Sequence, residues 1–145
     1  MDVAVARLLE TAKSISSAEQ HLPMLFIFGA ENEGRVCPLP EIFATETNKQ
    51  YFCYVLPLVL RALEADWYIL VSEAWATSST RPLKENIAVA ELPLDDRYEE
   101  LVAVVVKRGQ KAKLFHARIN NTPERRLVGE WEEKSDIKSR FVVDW

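Results

Sequence analysis

Histidine and cysteine are scarce, with two of each in 145 residues, and there are only four glycines. No glycine-rich phosphate loop, HExxH, GxSxG or Cys/His metal spacing can be drawn from them, so neither a metal nor a cofactor is expected. Cys37 and Cys53 lie outside any CxxC spacing. Cys53 falls within an apolar helical pattern, where a thiol packs as a small hydrophobe, so buried thiols are expected rather than a disulfide. Charge of one sign is also lacking: 18 Lys+Arg against 22 Asp+Glu leave a net of -4, too slight for a phosphate-binding protein or a polyanionic mimic of nucleic acid. Long apolar runs are missing too. The longest nearly uncharged stretch, Gln50 to Leu60, is about half of what a bilayer requires, so no membrane span is expected. The opening Met1-Asp2-Val3-Ala4 begins with an acid, and Arg7, Glu10 and Lys13 break the first apolar run. No signal peptide is read there, and a cytoplasmic location follows.

What remains, 48% hydrophobic, 28% charged and 10% aromatic residues, is the make-up of one folded domain spanning 1–145. Val5, Leu8, Leu9, Ala12 and Ile15 recur at helical spacing. The uninterrupted apolar run from Pro23 to Phe28 reads as a strand buried on both faces, and Ala30 to Gly34 turns it into a return strand that stops at Pro38 and Pro40. Thr47-Asn48-Lys49-Gln50 has capping-box spacing ahead of a second helix with the stripe Phe52, Val55, Leu56, Val59, Leu60 and Leu63, ending near Asp66. Trp67 to Trp75 alternates as a strand that places Trp67, Ile69, Val71, Glu73 and Trp75 on one face. A long excursion from Ala76 to Asp96 follows, with an apolar island at Ile87 to Val89.

Glu100 to Arg108 and Lys111 to Asn120 flank Gly109-Gln110, which predicts a hairpin with glycine at the first position of a type II′ turn. Counting outward from that turn pairs Val104 with Phe115, Ala103 with His116 and Leu101 with Arg118. A further strand, Arg126 to Glu132, closes the meander, and Phe141 to Trp145 should dock. The fold class expected is α+β: an antiparallel sheet of about five to six strands with two main helices packed on one face. Because the hairpin is apolar on both sides, a second copy of the chain becomes a candidate to cover the other sheet face, as a homodimer.

Glu73 is the anomaly, a carboxylate on an apolar strand face that must be paired, protonated or near water. Arg118 or His116 could meet it as a structural ion pair; a solvent-facing strand end and a general base are the other readings. The hairpin supplies Lys107, Arg108, Lys111, Lys113 and Arg118 with no acid between 107 and 118, a patch that could contact phosphate. Solubilising an edge explains it more simply, and the aromatics do not interleave with the bases, so nucleic acid is not the expected partner. His21 and His116 read as a helix-end and a sheet histidine rather than metal ligands.

Val71-Ser72-Glu73-Ala74-Trp75, then Arg81-Pro82, then Asp96-Arg97-Tyr98-Glu99 leading into Leu101-Val102-Ala103-Val104-Val105, resembles a pattern of small uncharacterised bacterial and bacteriophage proteins. The likeness covers about the middle third of the chain and carries no activity. It implies prokaryotic or phage provenance and offers Glu73, Trp75, Arg97 and Glu99 as a constellation flanking one loop. The function expected is non-catalytic binding of a protein partner. The alternatives are a small acidic immunity or anti-defence inhibitor, a carboxylate-based hydrolase around Glu73, and nucleic-acid binding through the basic hairpin 107–118.

Overall fold

The computed structural model describes residues 3–18, 23–31, 33–39, 44–76, 97–122, 126–135, 137 and 139–145. His21, Pro40, the island at Ile87 to Val89, and Arg81, Pro82 and Asp96 lie outside them. Two helices, α1 (Val3–Ala18) and α2 (Glu46–Ala62), accompany seven strands. The strands are β1 (Met24–Phe28), β2 (Gly34–Pro38), β3 (Trp67–Ala76), β4 (Tyr98–Lys107), β5 (Lys113–Asn121), β6 (Arg126–Val128) and β7 (Glu132–Ser135). All pair antiparallel in one sheet of order β2-β1-β3-β4-β5-β6, with β7 also on β5. The α+β class is the one expected from the sequence.

The helices do not share a face. Val5, Leu9 and Ala12 of α1 pack on Trp67, Ile69, Val71, Leu101, Ala103, Val105 and Phe115. Phe52, Leu56 and Leu60 of α2 pack on Leu25, Ile27, Tyr68, Leu70, Val104 and Val106, which point the opposite way. Strands that are apolar at successive positions can bury both sides, and one helix per side satisfies them. The 139–145 segment joins α2: Tyr68 Oη donates to the Phe141 carbonyl at 2.6 Å, and Trp145 Nε1 donates to the Ala65 carbonyl at 2.7 Å. Docking of the Phe141 to Trp145 stretch is thus as expected. Most of the second face finds its cover within the chain.

Four local expectations are corrected. The N-cap of α2 is Thr45, whose hydroxyl accepts from Asn48 N–H at 3.1 Å, two residues before the capping box read at Thr47. The β4–β5 register is one residue off the expected one, pairing Ala103 with Phe115 and Val102 with His116. Gln110 N–H bonds the Lys107 carbonyl at 3.0 Å, which puts Gly109, at φ 72°, at the second of the two central positions of the turn, where type II needs positive φ, not at the first as in type II′. The expected strand Arg126 to Glu132 is two strands, β6 and β7, separated where Gly129 N–H bonds the Arg118 carbonyl at 2.8 Å.

The end of α2 is a Schellman closure, with Ala65 N–H on the Leu60 carbonyl at 2.9 Å and Glu64 N–H on the Arg61 carbonyl at 3.1 Å. Glu64 occupies the left-handed position at φ 51°, where glycine is the unstrained choice. Glu64→Gly is therefore expected to raise stability by about 0.5–1 kcal/mol. Chemical denaturation checks the sign, since a loss would mean the glutamate side chain stabilises more than its backbone strain costs.

Candidate functional site

Beyond the hydrophobic rows, the α1-side face of the sheet turns polar at the ends of β3 and β4. The pairing sets Trp75 opposite Glu99 and Glu73 opposite Leu101, and across β5 it brings Arg126 of β6 to the same end. Arg126 Nη2 lies 3.0 Å from Glu73 Oε2 and 3.4 Å from Glu99 Oε2, so one guanidinium serves two carboxylates. From α1, the fully buried Ser16 donates its hydroxyl to Glu73 Oε1 at 2.6 Å. Beside them the Arg97 guanidinium stacks 4.2 Å from the centre of the Trp75 ring, a contact worth about 0.5–1 kcal/mol when exposed. Glu73, Ala74, Trp75, Glu99, Asn121 and Arg126 line a cleft of about 370 Å³.

The sequence-derived cluster is thus split between the two faces. Glu73, Trp75 and Glu99 line the cleft and Arg97 stacks on Trp75 beside it, whereas His116 and Arg118 lie on the other face. His116 sits on the α2 side, with Nδ1 3.2 Å from Glu100 Oε2 and Nε2 3.5 Å from Glu132 Oε2. Arg118 is exposed and stacks 4.4 Å from the Tyr98 ring centre. Neither meets Glu73, because the one-residue change of register moves both across the sheet. Arg126 and Ser16 were not legible as its partners. Their approach depends on β6 lying beside β5 and on the packing of α1.

Both Glu73 oxygens accept hydrogen bonds, and its charge is matched by Arg126. That is the chemistry of an anchor. A general base needs a lone pair aimed at a substrate proton, with an acid or nucleophile placed beside it. Glu100 and Glu132 approach different nitrogens of His116, so the three do not converge on one point. Among the described residues no group of three or more His, Cys, Asp or Glu could hold a metal ion.

The basic patch is also divided. Lys107, Lys111 and Lys113 line a small cleft with Val5 and Phe115. Arg108 turns to the other side, where its Nε donates to the Trp145 carbonyl at 3.1 Å. Lys113 pairs with Glu133 of β7 at 3.4 Å, part of the acidic run adjoining the hairpin. Among the described residues no helix is long and apolar enough to cross a membrane. Burial pushes the Cys53 thiol above its usual range, which favours the unreactive protonated form. The chain matches no protein-family model, no curated protein and no solved structure.

Proposed function

We propose that the chain is a non-catalytic protein-binding module whose contact surface is the outer stripe of α2. One observation carries this reading: Tyr51, Tyr54 and Leu58 are 68%, 75% and 50% exposed along a helix whose opposite stripe is buried. They recur at three- and four-residue steps, so they form one apolar ridge. Exposed apolar residues scattered singly are ordinary, but a continuous row containing two tyrosines has the composition of an interface anchor. The engaged state of Glu73 supports binding over hydrolysis. The free thiols of Cys37 and Cys53 suit a cytoplasmic setting.

A second copy of the chain is the first partner to test, because a ridge of this kind pairs with itself about a two-fold axis. Sedimentation velocity across the micromolar range should show a mass rising above 16.6 kDa. Tyr54→Glu with Leu58→Glu should return it to a folded monomer that still melts cooperatively, since both side chains are exposed in the single chain. A single 16.6 kDa species would overturn self-association. A partner cross-linked equally by wild type and the double variant would overturn the α2 surface itself.

A further inference from the structure

The two margins of the sheet are built differently. At one, β6 is three residues long and β7 reads Glu132-Glu133-Lys134-Ser135, exposed throughout, a short and charged border of the kind that discourages further pairing. At the other, β2 pairs with β1, and among the described residues nothing pairs with its outer side. Leu39 N–H donates to the Pro23 carbonyl at 2.8 Å and Gly29 N–H to the Glu33 carbonyl at 3.1 Å, so in this register the β2 residues bonded to β1 are Arg35 and Cys37. The N–H and C=O of Gly34 and Val36 and the C=O of Pro38 therefore point outward, two donors and three acceptors in one row.

The side chains at this margin are as incomplete as its backbone. Ile69, Phe26 and Val36 form one cross-strand row on the α1 side, and the row stops at Val36, which is 58% exposed. On the other face Arg35 is exposed, and among the described residues no carboxylate stands within ion-pair distance of it. The nearest acid along the chain, Glu33, folds back on its own turn, where Oε2 accepts from Glu31 N–H at 3.1 Å. A second copy fits this edge poorly. Antiparallel self-pairing about Val36 sets Gly34 of one copy opposite Pro38 of the other, which has no N–H for the Gly34 carbonyl, and it brings the two Arg35 side chains diagonally together on one face. A foreign strand with an N–H at that place satisfies every outward group and can bring a carboxylate to Arg35.

We infer that β2 takes an extended segment of a partner protein as an added antiparallel strand, its apolar side chains continuing the row of Ile69, Phe26 and Val36 and its acidic ones lying beside Arg35. In strand addition of this kind main-chain bonds supply affinity, and side chains alternating between the two faces supply selectivity. The surface goes beyond the α2 ridge and shares no residue with it.

Amide-resolved NMR titration of the full chain with the capped peptide Thr-Val-Glu-Val-Glu-Val-Thr, and with its counterpart carrying Lys for Glu, tests this. The Glu peptide should saturate, shift the Gly34 and Val36 amides most, and bind about fivefold more tightly than the Lys peptide. Arg35→Glu should reverse that order. Val36→Pro should weaken binding about tenfold by removing an outward donor, while the β1 ladder survives because an edge position whose N–H points to solvent tolerates proline. If that variant fails to fold, the Glu peptide N-methylated at its valines makes the same test from the ligand's side and should bind about tenfold more weakly than the unmethylated one. Lack of saturation, saturation without shifts at Gly34 and Val36, indifference to Arg35→Glu, or undiminished binding of the N-methylated peptide would each overturn the inference. A dimer abolished by Val36→Pro but kept by Tyr54→Glu with Leu58→Glu would give the edge to a second copy, and would overturn it too. The Tyr54→Glu, Leu58→Glu variant should bind the Glu peptide as wild type does, so failure of the α2 reading and failure of this one remain distinguishable.

Discussion

Arg126→Met should destabilise the protein by about 3–5 kcal/mol, the scale on which removing one partner strands a buried charge. Arg126 is 18% exposed at its side chain, and the carboxylates it serves are 8% exposed at Glu73 and 30% at Glu99. Without the guanidinium, two like charges share a cleft on one side of the sheet, and Glu73 keeps only a small exposed edge for water to solvate. Glu73→Gln should cost less, about 1–3 kcal/mol, because the amide keeps an acceptor for Ser16 or Arg126 while losing the charge. The double variant should lose less than the sum of the two, since each single change already breaks the same pair. Arg118→Ala, at an exposed position, should fall within about 0.5 kcal/mol of wild type. Urea denaturation of the four proteins measures all of this. An undiminished Arg126→Met would sink the anchor reading, and an unchanged Glu73→Gln would return Glu73 to candidacy as a catalytic base.

That Glu73 needed a partner could be read from the sequence; which partner could not. Alternation along Trp67 to Trp75 places the carboxylate among large apolar side chains, and period two is robust over a ten-residue strand. Partner choice depends on register, and register hung on how Gly109 is used. Glycine fits the first central position of one tight turn and the second central position of another, and the two differ by one residue of pairing. With apolar residues at nearly every position of β4, the hydrophobic pattern did not discriminate between them, so the error passed unopposed to His116 and Arg118. Where patterns alternate or capping residues are plain, the elements were legible: α1, the β1–β2 hairpin, most of α2 and β3. The same two-sided apolarity of β4 that blurred the register announced that both faces needed cover. Periodicity alone does not say which helix goes to which side.

Tyr68 is where cover of the second face is fastened, and Tyr68→Ala should cost about 3–5 kcal/mol, as other large-to-small aromatic changes in cores do. The residue is 0% exposed, its ring lies 5.5 Å from that of Trp145, and its hydroxyl both donates to the Phe141 carbonyl and accepts from Val143 N–H at 3.2 Å. Tyr68→Phe isolates the hydroxyl: the ring packing stays, two backbone groups lose their partner, and about 1–3 kcal/mol should go. Hydrogen exchange should then accelerate at Val143 while the β3–β4 ladder stays protected. Alkaline conditions add an independent check. Burial pushes the Tyr68 phenol well above the ordinary tyrosine range, against an opposing pull from the Val143 N–H. An unfolded tyrosine ionises near pH 10, so above that pH the unfolded chain releases a proton that the folded chain keeps. Stability must therefore fall as pH rises past about 10, by up to about 1.4 kcal/mol per pH unit from this group alone. Phenylalanine has no such proton. The stability advantage of wild type over Tyr68→Phe should be full at pH 8 and shrink progressively above pH 10. A difference that stays constant across that range would show that the phenol ionises alike in folded and unfolded chains, and that the 139–145 segment does not seal it from water.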